Sequence, residues 1–262
     1  MMLRALLLLL LSGLAPALAL AAIETKAIEY QQGDTRLVGY LAIPKDAKGP
    51  LPGVLVVHEW KGLNDYAKRR ADQLAELGYV AFATDIYGDG KVAADAKEAR
   101  ALSSLYKNDR ALLRARAAAG LAALKAQPGV AGDKVAAIGY CFGGTAVLEL
   151  ARSGADMAGA ISFHGGLDTP APQDAKNIRA RVLALHGADD PNVPAEQVAA
   201  FEQEMRAAGV DWQLIAYGGA VHGFTNPAHG SDNSKGVAYN AAADARSWAA
   251  MRQFFVELFA KP

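Results

Sequence analysis

The residue types with most chemistry to offer are a cysteine, two aspartates and a histidine. Cys141, the only cysteine in 262 residues, sits in Gly139-Tyr140-Cys141-Phe142-Gly143-Gly144. Asp189 and Asp190 follow it, and then His222, which is flanked by Gly218-Gly219 and Gly223. A thiol is a good nucleophile only as the thiolate, so a reacting cysteine needs a base, and that base needs an acid to hold its tautomer. His222 would take the thiol proton, because the glycines around it let the backbone bend to aim a side chain. The spacing does not separate Asp189 from Asp190, and Asp189-Asp190-Pro191 also reads as turn chemistry.

The bland alternative for a lone cysteine is an inert core residue, which composition alone would favour. The local setting reverses that reading. Lys134-Val135-Ala136-Ala137-Ile138 is a short apolar run that reads as a buried parallel strand. Thr145 to Arg152 has helical composition and stops at Ser153-Gly154. A strand entering a helix through one glycine-flanked residue exposes that side chain above the sheet, with a helix N-terminus behind it. Acyl transfer would also need donors for a developing oxyanion. The backbone N–H of Phe142 and that of Trp60 are placed to serve, each donor contributing on the order of 3 kcal/mol. Trp60 also reads as an aromatic packed under the rim. Glu59, on the same loop, would oppose thiolate formation unless it takes the proton itself or is turned elsewhere. Of the other histidines, His229 is the reserve base and His186 reads as buried scaffold. His58 and His164 end strands, where they line the pocket or satisfy backbone groups.

The elements that must position these groups alternate. Ala27–Gln32 and Thr35–Ile43 are strands joined through Gly33-Asp34. Gly53–Val57 is a central strand ending in His58-Glu59-Trp60-Lys61-Gly62. Asn64 caps a helix with Ala67, Ala71, Leu74 and Leu77 on its apolar face. Tyr79–Thr84 is a strand, and helices are expected over 94–106 and 109–127. Strands follow at Met157–Phe163, Arg181–Leu185 and Asp211–Tyr217, the last two separated by a helix that starts at Pro194 and closes at Gly209. Residues 167–177 and 218–236 are loops, and 238–260 is a closing amphipathic helix. Such alternation implies right-handed crossovers and a mostly parallel sheet covered on both faces. Sites in these sheets lie at the carboxyl ends of the strands, which collects the loops named above into one place.

Lys plus Arg equals Asp plus Glu at 27 each, so no basic stripe points to nucleic acid and no charge block to a membrane surface. There is no Cys-x-x-Cys, no His-Glu-x-x-His and no calcium loop, and without a nucleotide fingerprint no nucleotide site is expected. Arg4, the apolar run Ala5–Leu11 and the small residues Ala17, Ala19 and Ala21 fit a secretory signal peptide. The expectation is therefore a signal over residues 1–21 and one domain over 22–262, periplasmic or secreted and monomeric, with a small-molecule partner. The lone cysteine of an exported chain has no internal disulfide partner.

The chain resembles the dienelactone hydrolase family, a branch of the α/β-hydrolases with a cysteine nucleophile. Gly139-Tyr140-Cys141-Phe142-Gly143-Gly144 carries the resemblance most specifically. His58-Glu59-Trp60-Lys61-Gly62-Leu63-Asn64 is similar to the family segment in which a glutamate contacts the cysteine. Asp190-Pro191-Asn192-Val193-Pro194 and His222-Gly223-Phe224 resemble the segments of the triad acid and base, which implies Asp190 rather than Asp189. The resemblance implies an α/β-hydrolase fold and cofactor-free hydrolysis of an ester or lactone through a thioester, with Glu59 tuning the nucleophile. Two departures stand out. Where the family holds a substrate carboxylate with arginines, this chain has Asp89 and Asn226, and neither can form the bidentate pair. Dienelactone itself is therefore not the expected substrate. Two rival readings keep the fold but change the role: a non-catalytic binding protein, and a cysteine acyltransferase or peptidase.

Overall fold

The computed structural model describes residues 22–46 and 48–260. The expected signal segment lies outside these residues. β1 (Ile23–Gln32) and β2 (Thr35–Pro44) form a hairpin whose turn holds Gly33 at φ 56°. β3 (Leu51–Val57), β4 (Val80–Thr84), β5 (Val130–Tyr140), β6 (Gly159–Phe163), β7 (Arg181–Gly187) and β8 (Trp212–Tyr217) complete one sheet of eight strands. Its order is β1-β2-β4-β3-β5-β6-β7-β8. β1 and β2 pair antiparallel, β2 joins β4 antiparallel, and every other ladder is parallel. The mostly parallel sheet expected from the alternation is present.

Both faces are covered, which is why the central strands are apolar throughout rather than alternating. One face packs Leu55, Val57, Phe82 and Val135 against α2 (Ala96–Asn108), α3 (Arg110–Lys125), α4 (Phe142–Arg152) and α5 (Ala195–Ala208). The other packs Val54, Val56, Ile138 and Ile161 against α1 (Asp65–Glu76) and α6 (Ala241–Phe259). Asn64 caps α1 as expected, accepting the Tyr66 N–H. Leu77 is not on the buried face. It is the C-cap of α1 and 37% exposed. Residues 172–177, read as loop, form a 3-10 turn. The closing helix begins at Ala241, where Asn240 accepts the Ala243 N–H.

The helix after β5 begins at Phe142, earlier than its composition implies. Gly143 and Gly144 are poor helix formers, yet both lie in the first turn because nothing larger fits. A Cβ on Gly143 would overlap the carbonyl oxygens of Val57 and His58, and one on Gly139 would overlap Gly143. A Cβ on Gly144 would press on the Ser162 hydroxyl and on Gly165. The far end of α4 is pinned by Arg152, whose guanidinium is fully buried. It donates to Glu204 at 2.7 and 2.8 Å, to Glu149 at 3.1 Å and to the Leu167 carbonyl at 3.1 Å. The helix behind Cys141 is thus held at both ends.

Gly143→Ala should lower stability by roughly 3 kcal/mol through forced backbone displacement. Gly132→Ala, at a position where a Cβ meets nothing within 4 Å, should leave the chemical unfolding midpoint unchanged. Equal midpoints for the two variants would contradict the close packing at the turn.

Candidate active site

Cys141 stands at the junction of β5 and α4 with φ 54° and ψ −115°. Few L-residues tolerate positive φ. Its backbone N–H donates both to the Phe163 carbonyl at 3.0 Å and to His164 Nδ1 at 3.1 Å. The side chain is partly exposed, so a ligand can reach the sulfur.

Three elements deliver the polar partners. The loop after β8 presents His222, whose Nε2 lies 3.0 Å from Cys141 Sγ. The same ring places Nδ1 2.8 Å from Asp190 Oδ2 in the loop after β7. Asp190 is buried, and its other oxygen accepts the Asn192 N–H at 2.8 Å. Asp189 faces outward and caps the neighbouring loop, accepting the Gly219 N–H at 3.1 Å. One aspartate of the pair therefore meets His222, and the other serves the turn. The backbone of His222 is gripped on both sides: its N–H donates to Gly236 at 3.3 Å and its carbonyl accepts from Ala238 at 3.1 Å.

Burial works against a charged His222. The charge of the Cys141 sulfur and the hydrogen bonds to Asp190 and Cys141 outweigh it, and the imidazole is pushed up to about 10. Between the Cys141 sulfur and the Asp190 carboxyl, the charged form of the imidazole is thus favoured well above neutrality. The folded value lies above the ordinary 6.5. Its contribution to stability is therefore complete below that value and lost as pH rises through about 10.

The loop after β3 sits beside the helix turn. His58 is buried with Nδ1 2.6 Å from the Glu59 carbonyl, which also accepts the Gly62 N–H at 3.2 Å. His58 Nε2 accepts the Ile86 N–H at 3.3 Å, so the proton of the ring is on Nδ1. In a trans peptide the N–H points opposite to the carbonyl, so the Trp60 N–H is turned away from His58. Tyr87 donates its hydroxyl to the Trp60 carbonyl at 2.7 Å and fixes the next peptide as well. The Trp60 and Phe142 N–H groups have no acceptor among the described residues.

Glu59 is buried, and its Oε2 accepts from Asn226 Nδ2 at 2.7 Å while Oε1 has no partner. It makes no hydrogen bond to Cys141, the contact implied by the resemblance. Burial pushes its carboxyl up, against the pull of His229, Asn226, His222 and Arg70. His229 donates Nδ1–H to the Gly223 carbonyl at 3.0 Å rather than meeting an aspartate. His186 is buried with Nδ1 unpartnered. Asp89 lies outside, paired with Arg36 at 3.4 Å and mostly exposed. Asp85, with no role legible in the sequence, accepts four backbone N–H groups, from Val38, Tyr87, Gly88 and Gly90, and so shapes the rim loop that carries Tyr87. Among the described residues no cluster of three or more His, Cys, Asp or Glu side chains could hold a metal ion. No helix among them is long and apolar enough to cross a membrane.

An eight-stranded mostly parallel sheet, a strained strand-to-helix turn and three interacting side chains after β5, β7 and β8 define an α/β-hydrolase. The model of the dienelactone hydrolase family matches residues 37–259, and the chain belongs to that family. A solved dienelactone hydrolase-like promiscuous phosphotriesterase, P91 from metagenomic libraries, is 47% identical with a TM-score of 0.87. The match covers 91% of this chain and all of that one. A provisionally named carboxymethylenebutenolidase of Escherichia coli K12 is 30% identical, covering 86% of this chain and 83% of the relative. Protein usf of Aquifex pyrophilus is also 30% identical, with coverage of 76% and 86%. The chain is a hydrolase of the ester or lactone type.

His222 should titrate near pH 10 in nitrogen-15 NMR spectra of the side chain, and well below that in Cys141→Ala, which lacks the charged sulfur. An unchanged midpoint would remove the sulfur as the cause of the raised value.

Proposed function

We propose that the protein cleaves carboxylic esters or lactones through a thioester on Cys141, after export from the cytoplasm. The observation that carries this reading is the unbroken line of contacts Cys141 Sγ, His222 Nε2, His222 Nδ1, Asp190 Oδ2, at 3.0 and 2.8 Å. Cys141 Sγ attacks the substrate carbonyl carbon, its proton having passed to His222 Nε2. The carbonyl oxygen becomes an oxyanion held by the Phe142 and Trp60 N–H groups. The carbon–oxygen bond to the leaving group breaks, the alkoxide takes the proton from His222, and an acyl thioester remains. Water then gives a proton to His222 and attacks the thioester, and the thiolate leaves. Asp190 holds the imidazole as the Nδ1–H tautomer throughout. Glu59 acts through its field on His222 and on the sulfur, since its hydrogen bond goes to Asn226.

No free guanidinium stands at Asp89 or Asn226, which supports an uncharged acyl group. A second activity is favoured by the 47% identity to the phosphotriesterase P91. There the sulfur would attack phosphorus and expel an aryloxide, and water would then hydrolyse the S–P bond.

Purified mature protein should release p-nitrophenol from p-nitrophenyl acetate or butyrate, and Cys141→Ala should lose kcat by roughly a thousandfold or more. Asp190→Asn should cost on the order of 10³- to 10⁴-fold in kcat, while Asp189→Asn should be silent. Full activity in Cys141→Ala would end the proposal. The same pair of proteins assayed with a diethyl aryl phosphotriester decides the second activity: release by the parent alone supports it, and no release above background rejects it.

A further inference from the structure

His164 has no part in the scheme above, yet it hydrogen-bonds both the Cys141 backbone and the loop that carries His222. It is buried and holds its own backbone at φ 42°. Its Nδ1 accepts the Cys141 N–H at 3.1 Å, and a ring nitrogen that accepts carries no proton. The ring proton is therefore on Nε2, which donates to Thr225 Oγ1 at 2.7 Å. Thr225 lies three residues beyond His222 in the same loop. Its hydroxyl also meets Tyr66 Oη at 2.5 Å, and its carbonyl accepts from Arg70 Nη2 at 2.8 Å. Arg70 in turn pairs with Asp244 of α6 at 2.7 Å. One imidazole thus connects the nucleophile's backbone to the base's loop and, through it, to α1 and α6. It also meets the His222 ring edge-on, with centroids 5.5 Å apart.

We propose that His164 is a positioning residue which, as the Nε2–H tautomer, fixes Cys141 and His222 relative to one another through Thr225. This rests on the thioester reading. The titratable and charged groups around it are Cys141, His222, His229, Arg70 and Tyr140, with Tyr66 beyond Thr225. Burial, with the positive charges of His222, His229 and Arg70, keeps the ring neutral well below the ordinary histidine range. Protonation would abolish the acceptor for the Cys141 N–H and set a second cation against the His222 imidazolium.

The test uses the lone cysteine, so alkylation by iodoacetamide reports this site alone and needs no substrate. In His164→Asn and in Thr225→Val, kcat on p-nitrophenyl butyrate should fall roughly ten- to a hundredfold with KM within about twofold. The alkylation rate near neutrality should fall with it, and its pH profile should shift. Thr225→Ser should restore both, and the double variant should be no worse than the poorer single one. Parental kcat and alkylation profile in Thr225→Val would overturn the proposal. So would a loss of kcat that follows thermal stability while the profile stays put, or multiplicative losses in the double variant. If His164→Asn does not fold, the Thr225→Val and Thr225→Ser pair decides alone. Esterase activity surviving in Cys141→Ala would defeat the thioester reading instead, leaving the alkylation series to judge the positioning role separately.

Discussion

A side chain with a Cβ costs free energy at φ 54°, and Cys141 is held there by what surrounds it. The glycines at 139, 143 and 144 let the strand end, the first helical turn and the loops after β3 and β6 approach more closely than any side chain allows. The two hydrogen bonds from the Cys141 N–H fix the turn from the β6 side. The sheet clamps the turn, and the buried Arg152 cluster holds the far end of the helix that leaves it. Strain at the sulfur and rigidity around it are one arrangement described from two sides.

The electrostatics follow from the same closeness. Three buried or half-buried imidazoles and a carboxylate lie in the loops around the turn, and their surroundings drive them apart in character. His58 and His164 are kept neutral by burial; His58 spends both ring nitrogens on backbone groups, and His164 one on the Cys141 N–H and one on the Thr225 hydroxyl. His222 alone has the Cys141 sulfur at one nitrogen and a carboxylate at the other, and it alone is pushed up. Glu59 has its charge opposed by burial and one oxygen occupied by Asn226. On the proposed reading, a single ring is left to carry the proton.

Much of this was legible in the chain. Apolar runs bounded by glycine and proline mark the central strands because both faces of the sheet are covered. The glycine-flanked cysteine and the glycine-flanked histidine announce themselves by local backbone demands. The choice of Asp190 over Asp189 did not follow from spacing, since both oxygens lie on one turn and only tertiary packing decides which faces inward. The Glu59–Asn226 bond spans 167 positions and the His164–Thr225 bond 61; no local rule relates such pairs. The early start of α4 was hidden for the opposite reason: glycine's poor helix propensity argued against it, and the need for close approach overruled propensity.

The grip on His222 separates two properties that many sites entangle. Because Gly236 and Ala238 hold its backbone from the far end of the loop, the exposed stretch Gly230–Lys235 closes on itself and does not carry the imidazole at its tip. Loop closure is forgiving, each doubling of length costing about 0.6 kcal/mol. That stretch can therefore be lengthened or recomposed while the two backbone hydrogen bonds that hold His222 stay in place.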